Sequence, residues 1–417
     1  MRTTNKNLST SGVIKLYGFG VVGQGFQSYL SKNENAERLH TIIVKDDNKN
    51  RKKVPSIIET TNPKTIKDKD TDVVLELISS SDEAYGIVYE NLEIGKNVIS
   101  ANKKLIAENL ELLIETEQSN NATFLYEGAV CGSIPIIRVL NDLFANEELK
   151  SVAGIFNGSS NYILTKLFNE DITYAEALQQ AQNLGFAESD PTSDVEGFDS
   201  LYKLVIITAH AFGKIINPKD ILNIGIEAIT KNDVDFAKQY GLKIKLVAKV
   251  SLVGDKLSLS VLPTLISSTS DLFNIENEYN GVVVEGKNIG NHFYKGKGAG
   301  SYPTGAVVYS DLKAIDKGYR YSYKKLKNEN FYFDNEDKIS VIINVKDSYA
   351  IKNIEAELTK LYPLDIYGRR FIAKISLDDL HRIKYDLHTY QASVLALDND
   401  DLIELLTVSS IREKALV

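Results

Sequence analysis

Lys203 closes the stretch NLGFAESDPTSDVEGFDSLYK (183–203), which also carries Glu188, Asp190, Asp194, Glu196 and Asp199. The run that follows, LVIITAHAF, is apolar enough for a buried helix. If that helix starts near Gly197, Asp199 and Lys203 stand four apart and share a face. Acids beside a lysine at the mouth of a buried helix suit the binding of an ammonium group and the holding of a proton donor. The same residues also describe a solvated acidic loop with an ordinary helical ion pair, and the stretch by itself favours that plainer reading.

Other chemistry-bearing residues fall at strand ends. GFGVVG (Gly18, Phe19, Gly20, Val21, Val22, Gly23) is a G-x-G-x-x-G set between a strand and a helix. Its glycines allow a tight turn and let backbone N–H groups and the helix N-terminus face a pyrophosphate. In VKDDNKNR, Asp46 or Asp47 suits a ribose hydroxyl, whereas Lys45 and Arg51 suit a 2′-phosphate, so both NAD and NADP stay open, with a lean to NADP. SANKK puts Lys103 at a strand end, either as a proton donor made competent by burial or as a surface lysine beside Lys104. In YEGAVCGSIP, Glu127 with nearby carbonyls could hold a monovalent cation or serve structure, and Cys131 reads as packing. NGSSNYIL places Gly158, Ser159, Ser160 and Asn161 where they suit a helix cap or a substrate carboxylate.

These residues need a frame. VIKLYGFG (13–20), LHTIIVKD (39–46), TDVVLELI (71–78), NVISANK (97–103) and ATFLYEGAV (122–130) read as strands separated by helices, which predicts a doubly wound α/β parallel sheet. Ligands on such sheets sit at the carboxyl ends of the strands, where Gly18–Gly23, Ser79–Ser81, Lys103 and Glu127 fall. The expected division is a dinucleotide-binding Rossmann domain over 1–135, completed by 298–318, and an α+β substrate and dimerisation domain over 136–297. In the latter, TYAE is a capping box from Thr173 to Glu176 that begins a helix stopping at Gly185, and Gly254-Asp255 turns one of two hairpins. Residues 319–337 read as a linker. The tail 338–417 reads strand, helix from about Tyr349 to Leu361, strands DIYGRR and FIAKISL, helix and strand, a ferredoxin-like order.

Composition narrows the function. A net charge of −8 argues against a general nucleic-acid binder, and one cysteine excludes a disulfide within the chain or a cysteine-built zinc site. No run of about 18 apolar residues appears, so no membrane partner is expected. The cytoplasm is the expected compartment.

Six segments in order, GFGVVGQG, SANKK, YEGAVCGSIP, GIFNGSSNYIL, LGFAESDPTSDVEGFDSLYK and GKGAGSYPTGAVVYSDL, make the chain resemble the monofunctional homoserine dehydrogenases over roughly residues 13–312. The resemblance implies NAD(P)-dependent interconversion of L-aspartate 4-semialdehyde and L-homoserine, on the route to threonine and methionine, by a homodimer or homotetramer. It puts Gly18 to Gly23 on the phosphate loop and Ser79, Lys103 and Gly300 on further cofactor contacts. It puts Glu188, Asp194 and Asp199 on the substrate's amino-acid end and Lys203 on the acid/base lysine, with Lys103 as its partner. Glu127, Val130, Gly132 and Ile134 match a structural sodium site, three of them through backbone carbonyls. The chain departs from the family in Ser79-Ser80-Ser81, which replaces a usual glycine pair, and in NGSSN for NGTTN. The tail resembles an ACT regulatory domain in element order alone, since KDSYAI lacks the aspartate–proline–glycine turn of ACT effector sites. Two other readings remain: a Rossmann dehydrogenase of another small amino-acid aldehyde or alcohol, and a catalytically silent NAD(P)-binding sensor.

Overall fold

The computed structural model describes residues 12–33, 36–46, 58–61, 70–327, 330–346, 359–364 and 369–414. The chain divides into two units, Met1–Asp142 with Ala299–Ser322, and Leu143–Gly298 with Tyr323–Val417.

The first unit is built on a parallel sheet of β1 (Ile14–Tyr17), β2 (Leu39–Ile43), β3 (Ile58–Thr60), β4 (Val73–Glu76), β5 (Asn97–Ser100) and β6 (Phe124–Leu125). The strand order is β3-β2-β1-β4-β5-β6, the doubly wound arrangement that leaves a crevice where the order reverses between β1 and β4. TDVVLELI, expected as the third strand, is the fourth. The structure inserts β3 before it, a three-residue strand too short to show a periodicity in sequence. Helices α1 (Val21–Lys32), α2 (Ser81–Glu93) and α3 (Lys103–Ser119) follow β1, β4 and β5, and a short helix, α4 (Ile136–Arg138), comes after β6. Helix α10 (Ser301–Asp316) returns late in the chain to pack on α1. Val308 and Leu312 share a buried cluster with Ile14, Leu16, Phe26 and Leu75. The close approach needs small residues. A Cβ on Gly25 would meet the Ser301 carbonyl oxygen at 1.8 Å, and one on Gly305 would meet the Gly25 carbonyl carbon at 2.5 Å.

Among the described residues the second unit holds a mixed sheet of eleven strands. Its elements run β7 (Leu149–Ile155), α5 (Gly158–Asn169), α6 (Tyr174–Asn183), α7 (Thr192–Val195), α8 (Phe198–Phe212), β8 (Leu222–Asn223), α9 (Lys231–Gln239), β9 (Lys243–Val253), β10 (Lys256–Ile266), β11 (Tyr279–Gly286) and β12 (Gly290–Lys297). Strands β9 and β10 form the hairpin expected at Gly254-Asp255, and β11 and β12 the second hairpin. The Thr173–Glu176 capping box starts α6 as read. Helix α8 is buried along nearly its whole length and ends at left-handed Gly213, where a Cβ would meet the Lys325 carbonyl oxygen at 1.9 Å.

The remaining strands are β13 (Tyr332–Phe333), β14 (Lys338–Asn344), β15 (Thr359–Pro363), β16 (Arg370–Ser376) and β17 (Ser393–Leu397). The sheet runs β12-β11-β7-β9-β10-β17-β14-β16-β15. The tail thus continues the sheet through a parallel pairing of β17 with β10, and Leu222 and Leu262 share a buried cluster with Val341, Phe371 and Leu380. Within 319–337, Tyr321 and Tyr323 are buried and β13 pairs with β10. One tail strand differs from the reading. Thr359–Pro363 is a strand, so Thr359 to Leu361 do not belong to the helix expected there; residues 347–358 and 365–368 lie outside the described residues. TKLYP carries no period-two alternation yet pairs with β16, and of DIYGRR only Arg369 and Arg370 are described. A last helix, Asp401–Lys414, was not anticipated.

Candidate active site

In the first unit, the glycine turn sits at the β1–β4 crevice. Gly18 has φ +90°, a left-handed conformation, and a Cβ there would lie 2.5 Å from the Leu77 carbonyl oxygen. A Cβ on Gly23 would lie 2.5 Å from the Gly18 carbonyl oxygen, so the turn closes on itself only with glycine at both places. Gly20 is different. It caps α1 without any side-chain hydrogen bond, and among the described residues beyond its chain neighbours no atom lies within 4 Å of its would-be Cβ. Phe19 is buried in the core, whereas Val21 is 63% exposed and Val22 partly buried. The first turn of α1 carries no acid. An open, uncapped helix N-terminus of this kind fits a dinucleotide pyrophosphate.

The neighbouring strand ends are held by a buried carboxylate that the sequence reading missed. Glu76 closes β4, receives Ser100 Oγ at 2.5 Å and the Ile78 N–H at 2.8 Å, and is fully buried. Burial pushes its carboxyl up to about 7 against the pull of those two hydrogen bonds. Ser100 Oγ in turn accepts the Asn102 N–H, and Asn102 caps α3 through Leu105 N and donates to the Ile78 carbonyl. Lys103, half-buried, is the first residue of α3, so this network fixes its backbone. Ser79 is exposed, and Ser80 caps α2 by accepting the Glu83 N–H. The triple serine therefore does helix capping as well as standing at the strand end. Lys45 pairs with Glu83 at 3.0 Å, both well exposed. Asp46 is exposed; Asp47 and Arg51 lie outside the described residues. Gly300 has φ +124° and caps α10 without a side-chain bond.

Glu127 is buried, and its two oxygens accept the N–H groups of Ile137 (2.8 Å) and Arg138 (2.9 Å), capping α4. Burial and the nearby Asp311 push its carboxyl up to about 8, while Asp311, fully buried and paired with Arg138, rises to about 6. Between Glu127 and α4 the chain turns through two successive left-handed residues, Cys131 (φ +53°) and Gly132 (φ +58°), flanked by buried Val130 and Ile134. Among the described residues no group of three or more His, Cys, Asp and Glu is placed to hold a metal ion.

In the second unit the acidic stretch is a structured turn. Asn223 donates to the Glu196 carbonyl at 2.8 Å, Ile226 N–H to the Val195 carbonyl at 2.8 Å, and left-handed Gly197 starts α8. This delivers Asp199 and Lys203, both buried, one turn apart on α8. Lys203 Nζ donates to Asp199 Oδ2 at 2.6 Å and to the Phe156 carbonyl oxygen at 2.8 Å. Asn157 completes the group: its Nδ2 donates to Asp199 Oδ2 at 2.9 Å and to Asp194 Oδ1 at 2.7 Å, while its Oδ1 caps α5 at Ser160 N. The Asn157 amide thus ties Asp194 to the Asp199–Lys203 pair, at the end of β7 and the N-terminus of α5. Gly158 packs against the Glu278 backbone, and Ser159 Oγ donates to the Phe186 carbonyl. Asn161 turns toward residues 275–279, and Ser160 is buried. Glu188 is exposed, its carbonyl accepting from Gln182. Asp190 hydrogen-bonds Thr192 at the start of α7, and Glu196 ends that helix. Asn157 and Asn102 each stand directly before an apolar helical run, so an N-cap rule would have found both.

A doubly wound sheet with an open glycine turn at its switch point, in a chain that also buries a lysine against a carboxylate, fits the class of nicotinamide-dependent dehydrogenases. The family model for homoserine dehydrogenase matches residues 135–312, and the homoserine dehydrogenase NAD-binding domain matches residues 18–127. The chain is 35% identical over 317 residues to the homoserine dehydrogenase of Bacillus subtilis, covering 74% of this chain and 73% of that one. Among solved structures, a homoserine dehydrogenase from Thiobacillus denitrificans superposes with a TM-score of 0.77 at 25% identity, over 93% of this chain and 98% of its own. The Staphylococcus aureus homoserine dehydrogenase at pH 6.5 gives 0.70 at 30% identity over the same shares. The chain belongs to the homoserine dehydrogenase family and is an NAD(P)-dependent oxidoreductase acting on a small molecule. Among the described residues no helix is long and apolar enough to cross a membrane.

Proposed function

We propose that Lys203 is the acid/base group for interconversion of L-aspartate 4-semialdehyde and L-homoserine, and that Asp194 and Asp199 hold the substrate's ammonium end. The observation that carries this reading is the buried Lys203–Asp199 pair anchored on the Phe156 carbonyl. The nicotinamide, when bound, supplies or accepts the hydride. The chain's own part is a proton and a positive field at the substrate oxygen, and a fixed lysine serves both. Lys103, at the start of α3, is the second lysine in this role. Glu188 joins the acidic set on its place in the stretch. The first-turn N–H groups at Gly158 and Ser159 suit the substrate carboxylate, because a helix leaves these donors without intrahelical acceptors.

Gly18 to Gly23 would hold the pyrophosphate, with Ser79, Lys103 and Gly300 as further contacts. Lys45 and Arg51 would serve NADP. A sodium ion would be held by backbone carbonyls of Val130, Gly132 and Ile134 beside Glu127; the successive left-handed residues support a carbonyl-lined turn, and the Glu127 carboxylate is already occupied with N–H groups. Strand β12 ends the sheet with an exposed edge, which supports a homodimer or homotetramer built through this face. The antiparallel order β17-β14-β16-β15 supports an ACT-like tail. A cytoplasmic setting suits the single, buried cysteine.

The test is an assay of homoserine oxidation with NAD and with NADP, with and without threonine. Turnover with either nucleotide is the expected result. Cofactor binding without turnover of homoserine or of aspartate semialdehyde would favour the silent sensor.

A further inference from the structure

We infer that Asn280 is a positioning residue for Lys203, acting through the Phe156 carbonyl; this rests on the reading of Lys203 as the proton carrier. Asn280 is the second residue of β11 and is fully buried. Its Nδ2 donates to the Phe156 carbonyl oxygen at 2.9 Å, and Lys203 Nζ donates to the same oxygen at 2.8 Å. A carbonyl oxygen offers two lone pairs, and here both are engaged. Phe156 lies one residue past the end of β7, where the register with β11 stops at Gly281 and Ile155. Beyond the ladder the peptide plane needs another restraint, and Asn280 supplies it from the adjacent strand.

Two further observations point the same way. Among the described residues the Asn280 Oδ1 is buried without a hydrogen-bond partner. Turning the amide over to relieve it would set Oδ1 against the Phe156 oxygen and remove the donor, so the amide is held in the orientation that serves the carbonyl. The room for it comes from Gly298, where a Cβ would lie 2.3 Å from Oδ1. The segment leading into Asn280 is itself anchored to α5. Asn161 Nδ2 donates to the carbonyls of Asn277 (2.9 Å) and Tyr279 (3.1 Å), and Lys245 Nζ donates to Asn161 Oδ1 at 3.0 Å. The carbonyl that aims the Lys203 ammonium is thereby locked from a strand carrying none of the proposed catalytic groups.

The experiment is steady-state homoserine oxidation by the full chain in H2O and D2O, with Asn280→Leu, Gly298→Ala and Lys203→Ala compared. Asn280→Leu keeps the branching at Cγ and removes the donor. It is expected to lower kcat about 10- to 100-fold, the rate equivalent of losing one hydrogen bond in a charged network, with KM and cofactor affinity unchanged. The solvent isotope effect on kcat should rise as proton transfer slows. Gly298→Ala, which displaces the amide, should reproduce both changes, and it carries the test if Asn280→Leu does not fold. Parental kcat and isotope effect in the folded variants, or a loss confined to melting temperature, would overturn the positioning role. Unimpaired turnover in Lys203→Ala would instead refute the assignment of Lys203 on which the inference rests.

Discussion

Asp199 Oδ2 receives hydrogen bonds from Lys203 and from Asn157, and the second amide hydrogen of Asn157 goes to Asp194. Removing this amide leaves two carboxylates short of a donor at the place proposed for the substrate ammonium. Hydrogen bonds to charged groups contribute about 1.5–3 kcal/mol each. Asn157→Leu should therefore raise KM for homoserine about tenfold or more, with the cofactor dissociation constant unchanged, as steady-state kinetics and nucleotide titration would read. An unchanged KM would remove Asn157 from the substrate set. The Asp199–Lys203 pair was legible because both partners lie on one helix at a spacing that fixes their contact. Asn280 was not, since nothing local ties it to Phe156, and no spacing rule reaches a carbonyl brought close by strand pairing.

At the scale of elements, the α1–α10 contact shows where sequence patterns stop. The phosphate turn expected in GFGVVGQG has glycine at Gly18 and Gly23, where the backbone leaves no room for a Cβ. Gly25 in the same run serves another purpose, admitting the backbone of Ser301. That partner lies far along the chain, so its need for glycine is visible only in the fold. Gly25→Ala should destabilise the protein by about 1–3 kcal/mol through overpacking, measured as a lower melting temperature by calorimetry. Gly18→Ala acts on a different quantity. With φ +90° and Leu77 O in the way, it should weaken nucleotide binding in a direct titration, and wild-type affinity would contradict the phosphate-loop assignment. The parallel sheet was legible because its strands are apolar runs at regular spacing; β3 and the tail strand Thr359–Pro363 were not, being short and weakly patterned.

For the whole molecule, pH dependence follows from buried groups of opposite sign. Glu76, Glu127 and Asp311 have carboxyls raised to about 7, 8 and 6 by burial. Each favours the folded state below its ordinary carboxylate range, and that contribution is lost as pH rises through the raised value. His210, lowered by burial to about 3, costs stability as pH falls below about 6.5. Lys245, lowered to about 7, and Lys325, to about 8, add stability as pH rises toward the ordinary lysine value. The total is a balance, so one group is best isolated by difference. Glu127→Gln retains one acceptor for two N–H donors and should melt lower than the parent near pH 5, with the gap narrowing as pH rises to about 8. A constant gap would mean that Glu127 does not titrate in that window. The central claim concerns the buried lysine, and turnover of Lys203→Ala with homoserine and saturating nucleotide tests it most directly. Loss of about 10²- to 10⁴-fold in kcat with cofactor affinity retained is the predicted result; turnover close to the parent's would contradict it.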